Sequence, residues 1–417
     1  MLHCMIADLN ILVLGSGGRE HALCWKLAQS PRTKRLVCAP GNAGIAEVAE
    51  LTTLAIEDPA AVTAYVKAQG FDLVIIGPEG PLVSGVSDAL RATGVAVVGP
   101  SQAAARLEGS KGFTKDLCTS AGIPTAAYQR FASATEAHHY VAVHPLPVVV
   151  KADGLAMGKG VTVADSNEEG LAALAMIEGP VVVEQFLEGT EASLFVLCDE
   201  NSHQLWTSAR DHKRAFNGDT GGNTGGMGAV SPAPNLPDAL RDQAMREIIE
   251  PTLKAMRDAG TPFSGMLYAG LMLTKSGPKL IEYNVRFGDP ETQALMLRLD
   301  CDLAEILLAC GQNRLSETQV RWSADCAVSV VMASKGYPEA PRTGTPIAGT
   351  EAAAQTGAAI FHAGTRLDET GTLIATGGRV LAIAAKGGDL PTAIDRAYTA
   401  IAKINWPGGF YRTDIGK

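Results

Sequence analysis

The sequence has no Cys-x-x-Cys pair, no basic stripe and no apolar run approaching the roughly 18 residues of a membrane-spanning helix. Each absence removes a class of function. The eight cysteines (Cys4, Cys24, Cys38, Cys118, Cys198, Cys301, Cys310 and Cys326) are dispersed without a nearby His at metal spacing. A zinc ribbon or a redox pair is therefore excluded, and most are expected to be buried thiols in a reducing compartment. Asp8 interrupts the N-terminal stretch before it could form the apolar core of a signal peptide, so a cytoplasmic location is expected and no membrane partner. A formal charge of −9 without an arginine-rich segment argues against nucleic acid and for small-molecule ligands. No repeat or low-complexity tract is present. What remains is a chain of 417 residues, 46% hydrophobic and 19% charged, too long for one core and rich enough to bury two or three.

The most informative stretch is Lys279–Gln293. Alternation along a strand puts Glu282, Asn284 and Arg286 on one face and Ile281, Tyr283 and Val285 on the other, toward a core. Carboxylate and amide oxygens two residues apart suit Mg2+, a hard cation shared with substrate phosphates. Arg286 then offers a fork of donors to a phosphate or carboxylate. The plainer alternative is a solvated amphipathic strand ending in a Gly-Asp-Pro turn.

Residues 10–18 read as a buried strand running into a glycine turn, with a helix from Arg19, the opening of a doubly wound sheet. Gly15, Gly17 and Gly18 could hold a phosphate on free amides. A nicotinamide dinucleotide is disfavoured: Glu20 takes the third glycine position, and the strand Arg35–Ala39 ends in Pro40-Gly41-Asn42 without a carboxylate. Strands at Leu73–Ile76 and Val95–Val98 end in Gly-Pro turns, and Glu79 after the first is a candidate acceptor for sugar hydroxyls or a solvent-facing carboxylate. A helix from Ser110 stops at Gly122-Ile-Pro124. The next strong strand is expected at Leu146–Lys151, followed by a glycine loop and a strand at Val161–Val163, which is not the strand-loop-helix of a Walker loop. Gly154, Gly158 and Gly160 would let amides approach phosphates, with Lys151 and Lys159 adding charge. Glu184 and Glu191 flank a strand connection suited to adenine and ribose. The Gly218–Gly228 run reads as an irregular loop that moves over a site. A helix is expected over Pro237–Ala259, then a hairpin from Met266 whose second strand carries Glu282. Residues 321–417 read as a small mixed domain with few catalytic candidates, and His362 as structural.

Taken together, the chain resembles the glycinamide ribonucleotide synthetase family of the ATP-grasp superfamily over nearly its whole length. The resemblance rests on Gly15-Ser-Gly-Gly-Arg-Glu-His-Ala22, Ala39-Pro-Gly-Asn-Ala-Gly44, Gly77-Pro-Glu79, Leu107-Glu-Gly-Ser-Lys111, Val150-Lys-Ala-Asp-Gly-Leu-Ala156, Asp211-His-Lys-Arg214, Asn223-Thr-Gly-Gly-Met-Gly-Ala229, Arg286-Phe-Gly-Asp-Pro-Glu-Thr-Gln293 and Asp414-Ile-Gly416. It implies an α/β fold: an N-terminal doubly wound parallel-sheet domain (1–106) for phosphoribosylamine, a central ATP-grasp α+β body (107–320) with a mobile lid at about 123–190, and a small C-terminal mixed α/β domain (321–417).

The implied reaction joins glycine to 5-phosphoribosylamine with ATP as co-substrate, in purine biosynthesis. Another ATP-grasp ligase or carboxylase is the alternative. The resemblance places Mg2+ or Mn2+ on Glu282 and Asn284. It places ATP phosphates on Lys111, Lys151 and Lys159 with Gly154, Gly158 and Gly160, and the nucleoside near Glu184, Phe186, Leu187 and Glu191. Substrates fall to Gly15, Gly17, Gly18, Glu79, Asp211, Lys213, Arg286, Gly288 and Asp289. Arg286 and Lys159 would stabilise moving charge, while Asp211 and Asp289 hold glycine's ammonium or organise Arg286. A monomer or weak homodimer is expected. Three departures stand out: a short lid between Ala164 and Val181, Gly222 where the family has proline, and no carboxylate on Ala269–Leu273 to help hold a metal.

Overall fold

A computed structural model describes residues 8–155 and 160–417; Cys4, Gly158 and Lys159 lie outside the described residues. The N-terminal sheet is wholly parallel, ordered Glu50–Leu51, Thr33–Pro40, Leu9–Gly15, Leu73–Ile76, Ala96–Val98. Its central strand is buried on both faces, Ile11 to Leu14 being solvent-free, as a strand covered by helices on either side must be. The helix Pro59–Gln69 shows how local chemistry sets the ends. The Asp58 carboxylate accepts from the amides of Ala60 and Ala61, proline opens the first turn, and Gly70 at φ +67 closes the last.

Residues after Gly122 build a four-stranded antiparallel sheet ordered Tyr128–Phe131, Val181–Gln185, Val148–Ala152, Val161–Ala164. This unit starts one strand earlier than its apolar pattern suggests, since Tyr128–Phe131 precedes the Val148–Ala152 strand. Two helices, Ala134–Val143 and Asn167–Ala175, pack on one another and on the sheet. Both begin in Ser-x-x-Glu boxes: Ser133 and Ser166 accept from the amides of Glu136 and Glu169, whose carboxylates reach back to the amides of Ala132 and Asp165. The segment 165–180, short for a lid, thus carries an ordered helix over Asn167–Ala175.

The body is one nine-stranded sheet. Its order is Gly277–Asn284, Gly265–Thr274, Thr190–Cys198, His203–Asp211, Gly228–Ser231, Cys326–Ser334, Arg379–Gly387, Ala359–His362, with Gly409–Tyr411 also pairing with Cys326–Ser334. Residues beyond 321 therefore extend the same sheet, joined through the pairing of Gly228–Ser231 with Cys326–Ser334. The expected helix over 237–259 is present but contains a π turn at Met245–Ile249, immediately before Glu250-Pro251. Proline has no amide hydrogen for the ladder, and the wider turn accommodates the loss. The Gly218–Gly228 run is irregular only in part: Thr220–Asn223 pairs with Arg214–Phe216 in a two-stranded ribbon, while 224–227 lie outside regular structure. Among the described residues, no helix is long and apolar enough to cross a membrane.

Candidate active site

A cleft of about 1130 Å³ runs between the N-terminal domain, the four-stranded sheet and the body. Its chemistry begins with the helix Lys111–Ala121, whose first turn is docked on the turn after Val148–Ala152. Ser110 Oγ and the Gly112 amide donate to the Asp153 carboxylate at 3.3 and 3.2 Å, and Lys111 Nζ donates to the Gly154 carbonyl at 2.9 Å. One helical turn later Lys115 shares the cleft-facing side. Its Nζ donates to Glu184 Oε2 at 2.9 Å, and Lys151 Nζ lies 2.8 Å from Oε1 as an ion pair. That second contact lacks hydrogen-bond alignment, which leaves Oε1 without a formal donor. All three side chains are buried. Burial pushes Lys111 and Lys115 below the usual lysine range, in spite of nearby carboxylates such as Glu282 and Glu184. Glu184 was expected to face the nucleoside; here it joins two lysines. Phe186, Leu187, Glu191, Gly154 and Gly160 also line the cleft.

Glu282 and Asn284 face this cleft from the edge strand Gly277–Asn284, as their spacing predicted, but the strand stops at Asn284 and Arg286 sits in the turn beyond. Ile281 departs from the expected alternation. A bulge skips it, Gly270 pairing with Glu282 and Leu271 with Leu280, so Ile281 lines the cleft while Tyr283 and Val285 enter the core. Burial raises the Glu282 carboxyl, but Lys213, Lys151, Lys111 and Arg286 together outweigh it and hold the group below the usual carboxylate range.

Arg286 is clamped by two carboxylates, Glu79 at 3.4 Å and Glu108 at 3.1 Å, and donates to Asn284 Oδ1 at 3.1 Å. Glu108 also accepts from the Val285 amide at 2.8 Å. Glu79 is thus an ion-pair partner at the start of the helix Glu79–Val83 rather than a solvent-facing loop carboxylate. Among the described residues no hydrogen bond or ion pair joins Asp211 or Asp289 to Arg286, although Arg286 is one of the charges that lower Asp289. Asp289 instead accepts from Arg379 at 3.1 Å and Gln293 at 2.7 Å. Asp211 lies beside Lys213, which pairs with Glu191 at 2.9 Å. The cleft leaves part of Asp211 open, yet the dense protein around it pushes its carboxyl up to about 8; Lys213 opposes that shift and Glu291, Glu191 and Glu282 add to it. Glu291 is raised as well, by burial, while accepting from the Tyr268 hydroxyl at 2.8 Å.

Gly15, Gly17 and Gly18 do not line the cleft. The Glu20 carboxylate lies over Gly15 and Gly17, accepting from the Gly17 amide at 2.6 Å and from Arg19 Nε at 2.6 Å, and a Cβ at Gly77 would sit 1.9 Å from its Oε1, whereas Gly18 makes room for Gln293. The expected phosphate on this turn meets a resident anion, so Gly15 and Gly17 make room for Glu20. Gly288 is buried beside Glu291, where a Cβ would lie 2.5 Å from Oε2. Sequence reasoning missed Lys115, Glu108 and Arg379. The first two lie in or beside motifs already singled out, at one-turn spacing from Lys111 or three residues before it. Arg379 comes from the C-terminal part, which was expected to carry little chemistry.

Models of the phosphoribosylglycinamide synthetase N, ATP-grasp (A) and C domains match residues 9–108, 109–292 and 327–417. The chain is 55% identical over 416 residues to the phosphoribosylamine–glycine ligase of Mesorhizobium japonicum and 54% identical over 416 residues to that of Agrobacterium fabrum, covering 98% of each chain. The crystal structure of phosphoribosylamine–glycine ligase from Thermotoga maritima superposes with a TM-score of 0.85 at 32% identity, over 97% of this chain and 100% of that one. A biotin carboxylase domain from Hydrogenobacter thermophilus, 15% identical with a TM-score of 0.71 over 97% of this chain and 92% of that one, shares the fold alone. By full-length identity and by all three domain matches, the chain belongs to the phosphoribosylglycinamide synthetase family, with an ATP-grasp body at its centre.

Proposed function

We propose that this cleft joins glycine to 5-phosphoribosylamine with cleavage of ATP to ADP and phosphate, forming glycinamide ribonucleotide through a glycyl phosphate. The observation that carries the reading is the single continuous cleft. It sets buried lysines of the ATP-grasp body against Arg19 and Glu79 of the N-terminal domain, with Glu282, Asn284 and Arg286 where the two meet. At about 1130 Å³ it exceeds the roughly 300–1,000 Å³ of ordinary ligand pockets, as a nucleotide plus a second substrate requires.

A glycine carboxylate oxygen attacks the terminal phosphorus of ATP and ADP leaves. The amine nitrogen of phosphoribosylamine then attacks the acyl carbon; phosphate leaves and the amide forms as the nitrogen gives up a proton. The amine is already nucleophilic, so no dedicated base is needed. Lys111 and Lys151 neutralise phosphate charge, and Lys159, outside the described residues, is assigned the same task. Arg286, held by Glu79 and Glu108, presents a fixed guanidinium at the junction where charge moves. The buried Lys115–Glu184–Lys151 set orients Lys151 beneath the nucleotide. Asp211 and Glu291, both raised in the ligand-free cleft, would receive glycine's ammonium group, whose charge favours their ionised forms.

The family's divalent metal fits Glu282 and Asn284. Both residues line the cleft, Glu282 stays ionised, and the Asn284 oxygen, which accepts from Arg286 at 3.1 Å in the ligand-free cleft, is the second donor. Among the described residues no group of three or more His, Cys, Asp or Glu gathers for a metal, so the ion would be completed by phosphate oxygens. When bound it supplies charge neutralisation of the phosphates, and Mg2+ or Mn2+ suits the donors. We assign a cytoplasmic location and a monomer or weak homodimer to the chain.

Glycine labelled with heavy oxygen in its carboxylate tests the glycyl phosphate. One labelled oxygen should appear in the released phosphate, whereas unlabelled phosphate would rule out this route.

A further inference from the structure

The C-terminal part of the chain reaches into the cleft through one side chain. Arg379 opens the Arg379–Gly387 strand. Its Nη1 donates to the carbonyls of Gly225 and Asp289, each at 2.6 Å, and its Nη2 donates to Asp289 Oδ2 at 3.1 Å. One guanidinium therefore ties its own strand to the glycine segment after Asn223 and to the turn that follows Arg286. The fit is close. A Cβ at Gly225 would lie 2.9 Å from Arg379 Cζ, and one at Gly226, where φ is +113, would lie 2.5 Å from Pro290 Cδ. The two glycines leave room for the guanidinium and the proline.

The Asp289 carboxylate held in this way faces the N-terminal domain, where a Cβ at Gly17 would stand 3.3 Å from Oδ2. Burial raises Asp289, but Arg379 and Arg19 lead the opposing charges and keep it below the usual carboxylate range. The hydrogen bonds of Arg379 end on Gly225, Gly226 and Asp289, none of them a group assigned to the nucleotide.

We propose that Arg379 is a positioning residue for the amine substrate. It fixes the Asp289 carboxylate and the Gly225–Gly226 backbone as one wall on the N-terminal-domain side of the cleft. The C-terminal domain thereby sets affinity for 5-phosphoribosylamine and leaves ATP affinity alone. This deepens the functional reading above and rests on it.

The test is steady-state phosphate release by the full chain with ATP, glycine and 5-phosphoribosylamine varied in turn, for wild type, Arg379→Gln and Arg379→Lys. Loss of a charge-assisted fork should raise the KM for 5-phosphoribosylamine in Arg379→Gln on the order of tenfold or more. The KM values for ATP and glycine should stay within about twofold, and Arg379→Lys should recover part of the loss because it keeps the charge. A KM for phosphoribosylamine equal to wild type, or a rise matched by ATP, overturns the inference. If Arg379→Gln does not fold, Arg379→Lys is read by the same split, since an ammonium cannot serve both acceptors as the fork does. Wild-type release that needs both glycine and phosphoribosylamine upholds the functional reading whatever the variants show, so the two failures are distinguishable.

Discussion

Replacing Glu184 by Gln removes the one carboxylate shared by Lys115 and Lys151, and its effect can be worked through. The three side chains are only 2–3% exposed, with contacts of 2.9 and 2.8 Å. Breaking a buried pair by deleting one partner costs roughly 3–5 kcal/mol, because the remaining charge stays desolvated. Two pairs are lost here, but the glutamine oxygen still accepts from one lysine. The other can shed its proton, which is already loosened in Lys115 by burial. The lower end, about 3 kcal/mol, is therefore expected. A global unfolding energy is ill-defined for a chain of several domains, whereas amide hydrogen exchange reads local opening. Exchange in the paired strands Val148–Ala152 and Val181–Gln185 should accelerate about a hundredfold or more, at about 1.36 kcal/mol per tenfold. Adding Lys115→Met to Glu184→Gln should return most of that protection, since it removes the stranded charge. Exchange in Glu184→Gln within about threefold of wild type would refute the premise that the carboxylate holds these lysines in place.

Three further outcomes follow from the geometry. Asp211 is raised in the folded state to about 8, so its contribution to stability is full below the unfolded carboxylate range and is lost as pH rises through about 8. The melting temperature of ligand-free Asp211→Asn relative to wild type should accordingly climb between about pH 5 and pH 9, and a pH-independent gap in thermal melts would contradict the assignment. Gly226→Ala places a Cβ at φ +113 and 2.5 Å from Pro290 Cδ, so the segment should loosen by about 1–3 kcal/mol; kcat/KM measured alongside the melting temperature should fall while the global melt moves little. Glu282→Gln should lower kcat/KM on the order of a hundredfold and raise the metal concentration needed for half-maximal rate, read by titrating phosphate release with Mg2+ or Mn2+. An unchanged metal requirement would remove Glu282 from the metal.

What the sequence made legible was chemistry carried by spacing. Glu282 and Asn284, two apart on a strand, share the cleft face because strand alternation is local and needs no knowledge of the neighbouring strand. The bulge at Ile281 was not legible in the same way, since it depends on the register against Gly270 and Leu271. Glu20 illustrates a different limit. Its position excluded a dinucleotide turn, but that its carboxylate would fold back over Gly15, Gly17 and Gly77 depends on strands brought together only in the sheet. Lys115 was recoverable, standing four residues after Lys111 on one helix. So were both helices of the four-stranded unit, announced by Ser133 with Glu136 and Ser166 with Glu169. Arg379 was out of reach of local reasoning, since its partners lie 90 to 154 residues away in the chain.

Joining glycine to phosphoribosylamine is tested most directly by phosphate release from ATP as each substrate is withheld or exchanged. Release should require glycine and freshly generated 5-phosphoribosylamine together, with bicarbonate unable to replace glycine. Release that persists without glycine, or that bicarbonate sustains in its place, would contradict it.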